Sequence, residues 1–137
     1  MEYKCYDSLP TQAREIREEV FMREQGFLEE FDLDDKYATH ILAFDGLQAI
    51  ATCRFFEQDG FYLIGRIAVL KEYRGKGVGR DMLEYAEKCI TKFGGKEIRI
   101  HAQQNAEEFY KKLGYRSLDI YDYEQDCKHV WMSKTVE

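Results

Sequence analysis

The sequence is poor in the features that would divide it into pieces or carry it into a membrane. Pro10 is its one proline, and no repeated, low-complexity or Ser/Gly-rich segment interrupts its 137 residues. Its apolar runs fall short of the roughly 18 residues that a membrane span needs. The first ten residues have neither the basic start nor the apolar stretch of a signal peptide. We therefore expect a single domain, residues 1–137, in a cytoplasmic protein.

A broad positive charge is also missing. The formal net charge is -6 and the sequence pI is about 5.2. A surface that tracks nucleic acid or an anionic membrane needs an extended positive field. The balance therefore predicts neither a nucleic-acid partner nor a membrane partner, and it leaves room for a small local basic site.

Metal-binding and disulfide patterns are absent as well. The four cysteines lie dozens of residues apart with no CxxC pair, at Cys5, Cys53, Cys89 and Cys127. The three histidines, His40, His101 and His129, show no short metal spacing among themselves. Zinc sites need short ligand spacings, and disulfide frameworks belong to oxidising compartments. We expect no metal and no disulfide, with the cysteines acting as small core residues rather than as a thiol nucleophile.

Strand and helix patterns alternate along the first half of the chain. A short strand at 3–6 is followed by a helix that begins after Pro10 and ends at Gly26. The Asp-Gly pairs at 45–46 and 59–60 predict type I′ turns. These turns would join three antiparallel strands, at about 37–44, 47–57 and 61–70.

The second half continues with a crossover. Apolar residues at helical spacing, from Val78 to Phe93, predict a helix that Gly94 and Gly95 close. A strand at 97–102 then makes a parallel strand–helix–strand unit. A short helix with Ala106, Phe109, Tyr110 and Leu113 inward ends at Gly114, and strands follow at about 115–121 and 127–134. The pattern predicts an α/β protein with a mixed sheet of about seven strands.

A glycine-rich basic loop lies at the start of the second helix. Its sequence, residues 74–80, is RGKGVGR, and residues 71–80 hold four basic residues and one acid. Closely spaced glycines let the backbone approach a ligand, and the free N–H groups at a helix start favour phosphate. The spacing is neither the dinucleotide-binding fingerprint nor a P-loop. A flexible basic turn without a ligand is the alternative interpretation.

The loop and its neighbours resemble the GNAT superfamily of acetyl-CoA-dependent N-acetyltransferases. Arg74, Gly77 and Gly79 match the positions of its R/Q-x-x-G-x-G/A signature. Residues 106–115, AEEFYKKLGY, resemble the family's A-x-x-F-Y-x-x-x-G-F/Y segment, and residues 17–40 look like a subgroup of small bacterial members. The resemblance implies a mostly antiparallel sheet with helices on both faces.

The resemblance also implies a set of residues that bind acetyl-CoA. Residues 67–69 resemble the end of the strand that pairs with the pantetheine arm, and Gln103 stands where many relatives carry Asn. The implied cofactor-binding residues are Ile67, Ala68, Val69, Arg74, Gly75, Lys76, Gly77, Val78, Gly79, Arg80 and Gln103.

The implied reaction is direct attack of an amine on the thioester of acetyl-CoA. A backbone N–H near Val69 is the candidate donor to the oxyanion, and the resemblance gives Tyr110 the role of general acid toward the departing thiolate. A core tyrosine on an amphipathic helix is the alternative for Tyr110. Five residues are candidates for the base: Glu19, Glu24, His40, His101 and His129. His101 is favoured among them because strand ends line the ligand crevice of open α/β sheets.

Two acidic clusters bear on the acceptor. The first comprises Glu29, Glu30, Asp32, Asp34 and Asp35, and the second comprises Asp119, Asp122, Glu124 and Asp126. If they border the acceptor site, they attract a cationic amine. The alternative is that they form two solvated loops.

The sequence therefore predicts an N-acetyltransferase that uses acetyl-CoA and no metal. Its acceptor would be a primary amine, on a cationic small molecule or a peptide. A module of the same fold that binds CoA or a nucleotide without turnover is the alternative. The sequence leaves the oligomeric state open, a homodimer included.

Overall fold

Seven strands form one mixed sheet in the computed structural model, which describes residues 1–28 and 31–136. The order across the sheet is β1-β2-β3-β4-β5-β7-β6. Of these neighbours, β4 and β5 are parallel and the other pairs are antiparallel. The strands are β1 (Glu2–Tyr6), β2 (Thr39–Asp45), β3 (Gln48–Gln58), β4 (Phe61–Val69), β5 (Glu97–Gln103), β6 (Arg116–Glu124) and β7 (Cys127–Thr135).

Helices connect the strands at three places. The first, α1 (Thr11–Arg17), continues as a π-helical segment, Glu18–Glu24, and the others are α2 (Val78–Lys92) and α3 (Glu107–Lys112). Single 3₁₀ turns lie at Leu33–Lys36, Lys71–Tyr73 and Gln104–Ala106. The longest described helix, α2, has 15 residues, and no helix in the described ranges has the length and apolarity to cross a bilayer.

The helices cover both faces of the sheet. Successive strand residues point to opposite faces, so Ile41 packs in the core beneath α2 while Leu42 packs with Ile16 of α1. The buried residues of α2, Met82 and Ile90 among them, lie in the larger of the two cores. The predicted fold class is confirmed: an α/β protein with a mostly antiparallel seven-stranded sheet and helices on both faces.

Two local predictions, the turn at 45–46 and the start of the second strand at residue 37, were wrong. Asp45 still pairs with Gln48, so the first turn is centred on Gly46 and Leu47 instead of Asp45 and Gly46. Of the two central residues, Gly46 alone has a positive φ, of 62°. The second turn is as predicted, with φ of 51° at Asp59 and 88° at Gly60. Residues 37–38 follow a 3₁₀ turn and precede β2.

Two phenylalanines assigned to helix core faces are exposed instead. Phe93 comes after the last residue of α2, at the point where the helix turns into Gly94, and is 61% exposed. Phe109 is 41% exposed on α3. The residue that does bury itself on α3 is Tyr110.

The cysteine prediction holds for Cys53, which is buried in the sheet. It is wrong for Cys5, which is exposed on β1 with its Sγ 3.7 Å from the Sγ of Cys89 on α2. Both are free thiols. Burial, followed by the contact with Cys5, raises the pKa of Cys89 to about 11.

The pairing of β4 with its neighbours is interrupted where the site lies. Thr52 and Arg54 of β3 pair with Ala68 and Gly65 of β4, so β4 has one extra residue in this interval. Arg66, within this bulge, has a φ of 52°. On the other side, pairing with β5 covers only the three pairs from Tyr62 to Ile64, although both strands continue further. The bulge therefore leaves an opening between β4 and β5.

A buried ion network attaches α1 to the sheet. Asp35 accepts hydrogen bonds from Arg17 at 2.8 and 3.1 Å and from Arg54 at 2.8 Å. Arg54 and Arg66 both donate to Asp32. Burial would raise the pKa of Asp35, but the hydrogen bonds and charges of the arginines outweigh it and lower the pKa to about 2.

We predict that Asp35→Asn destabilises the protein by about 3 kcal/mol, because it removes a buried carboxylate that two buried guanidinium groups, those of Arg17 and Arg54, both bond to. Denaturant unfolding measures this change. Asp34→Asn is the matched control, since Asp34 is an exposed neighbour and its loss should change the free energy of unfolding by less than about 0.5 kcal/mol.

The same residue predicts a pH dependence. The pKa of Asp35 falls from 3.8 to about 2 on folding. Its ionised form therefore stabilises the fold fully above pH 3.8, and this contribution is lost as the pH falls toward 2. The unfolding free energy of Asp35→Asn should vary less with pH in this window than that of the wild type. Equal slopes would contradict the assignment.

Candidate functional site

A cavity of about 450 Å³ opens where β4 and β5 separate. The bulge of β4, the end of β5, the π-helical segment, α3 and β7 all contribute to its walls. One residue from each is Arg66, Gln103, Phe21, Tyr110 and Trp131. The opening in the sheet is thus closed on its sides by the elements that flank it.

The structure brings to this cavity two of the implied cofactor-binding residues, the proposed acid and the favoured base. Ile67, His101, Gln103 and Tyr110 all line it. Ala68 instead packs in the core beneath α1, and Val69 packs against the larger core on the other face of the sheet.

The glycine loop lies at the N-terminus of α2, after β4. Gly75 and Gly77 have φ of 76° and 80°, a region that side chains disfavour. Gly77 is the residue that caps α2, and a Cβ there would lie 2.9 Å from the guanidinium of Arg80. Gly79 is different, because a Cβ there would lie 3.4 Å from the ring of Phe109, which is an ordinary van der Waals distance.

Arg74, the first residue of the glycine loop, is held by an ion pair. Arg74 donates to both carboxylate oxygens of Glu24, at 2.9 and 3.0 Å, and its Nε donates to the carbonyl of Val69 at 2.9 Å. These bonds connect the loop to the end of the π-helical segment. Arg74, Lys76 and Arg80 are all exposed, and Arg80 pairs with its neighbour Asp81 at 3.2 Å.

The segment after the π-helix crosses the mouth of the opening. Gln25 accepts a hydrogen bond from the side-chain amide of Gln103 at 2.8 Å, at the end of β5. The backbone N–H of Leu28 donates to the side chain of Gln125 at 2.7 Å, in the β6–β7 turn. Together with the Glu24 ion pair, these contacts attach residues 24–28 to both sides of the cavity.

Tyr110 is buried on α3 and faces the cavity. Its ring makes edge contacts with Phe109 and Tyr115, with centroids 5.1 and 6.1 Å away. Burial, and then the neighbouring Cys53, raise the pKa of Tyr110 well above its usual value. The hydroxyl stays protonated at neutral pH, as a proton donor must.

A cluster of flat rings lies at the end of β5. His101 stacks on His129 and on Trp131, with ring centroids 4.5 Å apart in both pairs. The Nε2 of His101 lies 2.5 Å from a carboxylate oxygen of Asp122, and its Nδ1 lies 3.6 Å from Glu124. The hydrogen bond from His101 is the main cause that lowers the pKa of Asp122.

Three residues of this cluster have metal-ligand chemistry. The donor atoms of His101, Glu124 and His129 all lie within 4.8 Å of one another. A metal ion binds in the plane of each imidazole, yet these two rings stack with 27° between their planes, so their lone pairs run side by side instead of converging. This arrangement does not fit an ion, and the sequence expectation of no metal stays a prediction.

The other candidate bases lie elsewhere. His40 is buried, donates from Nε2 to the carbonyl of Asp35 at 2.9 Å, and has its pKa lowered by burial. Glu19 pairs with Arg23 on the surface. Glu24 is occupied by Arg74. Only His101 and His129 of the five line the cavity.

Among the described residues of the first acidic cluster, two are held in ion pairs. Glu29 and Glu30 lie outside the described residues, and Asp32 and Asp35 are held in ion pairs with arginines. Asp32 and Asp34 line the cavity. In the second cluster, Asp122 and Glu124 contact His101, whereas Asp119 closes a local turn with Ser117.

Sequence reasoning missed several residues of the site, notably Gln25, Phe27 and Trp131. Alternation along β7 places His129 and Trp131 on one face of the sheet, and this could be predicted from the sequence. The pairing of His101 on β5 with Trp131 on β7 could not be predicted, because no local pattern fixes the register of strands so distant in the chain.

The comparisons with known proteins agree with this geometry. The chain matches the acetyltransferase (GNAT) domain over residues 8–136. It is 34% identical over 122 residues to the uncharacterized N-acetyltransferase YjcF of Bacillus subtilis strain 168, with 87% of each chain covered.

Solved structures agree as well. The crystal structure of a putative N-acetyltransferase from Lactobacillus plantarum superposes with a TM-score of 0.88 at 29% identity, over 100% of both chains. An aminoglycoside 6′-N-acetyltransferase, solved in complex with coenzyme A, shares the fold with a TM-score of 0.77 at 16% identity, covering 98% of this chain and 97% of its own. The resemblance seen in the sequence is confirmed, and the chain belongs to the GNAT family of acetyltransferases.

Proposed function

We propose that the protein transfers an acetyl group from acetyl-CoA to a primary amine by direct attack. The observation that carries the proposal is the position of Tyr110, a buried and protonated hydroxyl-bearing side chain that faces the opening between β4 and β5. The relative solved with coenzyme A has the same fold and supports a cofactor of this kind.

The cofactor would run from the loop to the opening. The loop at Gly75 and Gly77, with the N-terminus of α2, offers backbone N–H groups for the pyrophosphate, and Lys76 and Arg80 add charge. The pantetheine arm would then follow residues 67–69 of β4 toward Gln103. Val78 and Gly79 shape the first turn of α2 beneath it.

Each step of the reaction requires a group at a defined place. The neutral amine attacks the thioester carbonyl, and a backbone N–H near Val69 stabilises the oxyanion. When the carbon–sulfur bond breaks, Tyr110 protonates the thiolate, so that CoA leaves as a thiol. The amine loses one proton to a base in the cavity. The products are an amide and CoA.

The acceptor would be a small amine or the side chain of a peptide. The cavity is of a size that suits a small molecule, and its lining combines aromatic rings with carboxylates such as Glu124. The ion pairs of Asp32 and Asp35 weaken the expectation that the first acidic cluster attracts cations. The carboxylates of Asp122 and Glu124, both about half exposed, are the better candidates for that role.

A direct assay tests the proposal. The purified protein is mixed with acetyl-CoA and a panel of amines that includes monoamines, diamines, an amino sugar and a lysine peptide, and the release of CoA thiol is followed. Acetylation of at least one amine above the rate of thioester hydrolysis supports the proposal. Binding of acetyl-CoA with no transfer to any amine would favour the module that binds without turnover.

The glycine loop gives a prediction about binding. Gly77→Ala places a Cβ at positive φ and against Arg80, so it should weaken CoA binding at least about 10-fold in calorimetry. Gly94→Ala is the matched control, because Gly94 has a φ of 87° at the opposite end of α2 and an open surrounding. It should carry similar strain and leave the affinity unchanged. Equal affinity in wild type and Gly77→Ala would remove the loop from the site.

Salt gives an independent measure of the same loop. Exposed cations attract phosphates through interactions that added salt screens. The affinity for CoA should therefore fall as ionic strength rises, and the slope should be smaller in Lys76→Ala than in the wild type. A salt-independent affinity would contradict a phosphate role for Lys76.

Tyr110 gives a prediction about catalysis. Tyr110→Phe keeps the packed ring and removes the hydroxyl, so turnover should fall about 100-fold with the KM for acetyl-CoA little changed. Its stability should change by no more than about 1 kcal/mol. Tyr115→Phe is the control, because it removes a nearby buried hydroxyl that donates to Glu87 at 2.7 Å. This control should lose stability and keep its turnover.

A further inference from the structure

We infer that Asp122 is a positioning residue that holds His101 with Nδ1 ready to accept the proton of the acceptor amine. The inference rests on the proposed function and deepens it, because it assigns the base and the atom that acts. His101 lies at the end of β5, beyond the last residue that pairs with β4, and it lines the cavity.

The hydrogen bond to Asp122 selects the tautomer. An ionised carboxylate only accepts, so the Nε2 of His101 must donate across the 2.5 Å that separates it from Asp122. The proton is therefore on Nε2 in the neutral ring. The lone pair is on Nδ1, which is the one atom of the ring that can take a proton.

Stacking fixes the plane of the ring. Trp131 and His129 stack on His101 with interplanar angles of 24° and 27°. His129 is itself held, because its Nδ1 donates to the carbonyl of Cys127 at 2.9 Å. The hydrogen bond and the two stacked neighbours together leave His101 with one orientation, which is the condition for directed proton transfer.

Charged and titratable groups surround the imidazolium that would form when His101 takes the proton. Asp122 and Glu124 face it from β6, and His129 faces it from β7. The other charged residues that line the same cavity are Asp32, Asp34, Arg54 and Arg66. Glu124, at 3.6 Å from Nδ1, stabilises the protonated ring once the proton has arrived.

Two residues, His101 and Tyr110, account for the protons that move in the reaction. The attacking nitrogen forms a bond to the thioester carbon and passes a proton to Nδ1 of His101, while Tyr110 gives a proton to the leaving sulfur. His101 then releases its proton to water, and Tyr110 regains one from water. The net reaction is amine and thioester to amide and thiol, with no other reactant.

The test compares Asp122→Asn with the wild type in the rate of acetylation against pH. Asn keeps the shape and removes the charge that favours the protonated ring. In Asp122→Asn the acidic limb of kcat/KM should move to lower pH, and kcat should fall about 10-fold, with the KM for acetyl-CoA unchanged. His101→Gln should remove that limb.

Asp126→Asn is the matched control. It removes the same charge from the turn of the same hairpin, and its residue has a φ of 65° that Asn tolerates. Its pH profile should equal that of the wild type. An equal shift in Asp126→Asn would assign the effect to the net charge of the hairpin and overturn the role of Asp122.

Nitrogen NMR of the imidazole provides a readout without turnover. The wild type should show the Nε2–H tautomer for His101, and Asp122→Ala should show a mixture of both tautomers. An unchanged tautomer in Asp122→Ala, or an unchanged pH profile in an active Asp122→Asn, overturns the inference alone. A wild type that acetylates no amine overturns the proposed function, while the NMR comparison still judges whether Asp122 orients the ring.

Discussion

The parallel pairing of β4 and β5 ends at Ile64 and Ile100, and the site is built on that ending. The extra residue of β4 near Arg66 turns the strand away from β5 while its other edge stays paired with β3. Backbone groups that would otherwise bond to one another are thereby left facing an opening. A sheet with unbroken pairing here would have no cavity and no place for an extended ligand between its strands.

The bulge needs support because Arg66 adopts a left-handed conformation that costs free energy. Its side chain donates to Asp32, which also pairs with Arg54. Arg54 is in turn linked through Asp35 to Arg17 of α1. The buried ion network thus connects α1, β3 and the bulge, so its charges specify the wall of the cavity as well as the attachment of the helix.

Local patterns were sufficient for most of the fold. Alternation in the strands, the apolar face of α2 and the turn at Asp59 and Gly60 depend on neighbours within a few residues, and these were predicted correctly. The π-helical continuation of α1 was not predicted, because its apolar spacing is that of an ordinary helix. The turn after β2 was misplaced by one residue since Asp-Gly is compatible with more than one turn geometry.

The positions of two candidate site features could be predicted for the same reason, while their roles toward a ligand stay predictions. The glycine loop and Tyr110 lie in contiguous motifs, and the sequence placed both near a ligand. The partners of Arg74 and His101 could not be foreseen, because Glu24 is 50 residues from Arg74 and Asp122 is 21 residues from His101. The charge pattern allows several carboxylates as the partner of each side chain, and the register of the sheet determines which carboxylate lies within reach.

The segment of residues 24–28 belongs to both halves of the site at once. Glu24 pairs with Arg74 of the glycine loop, and the next residue, Gln25, bonds to Gln103 beside the cavity. Under the proposed function, a cofactor phosphate that drew Arg74 would compete with Glu24, whose neighbour Gln25 holds the other wall of the cavity. By thermodynamic linkage, if the bound cofactor changes the affinity for the acceptor by some factor, the bound acceptor changes the affinity for the cofactor by the same factor. In the proposed function, the sites of the two substrates would thus be linked through the one peptide bond that joins Glu24 to Gln25.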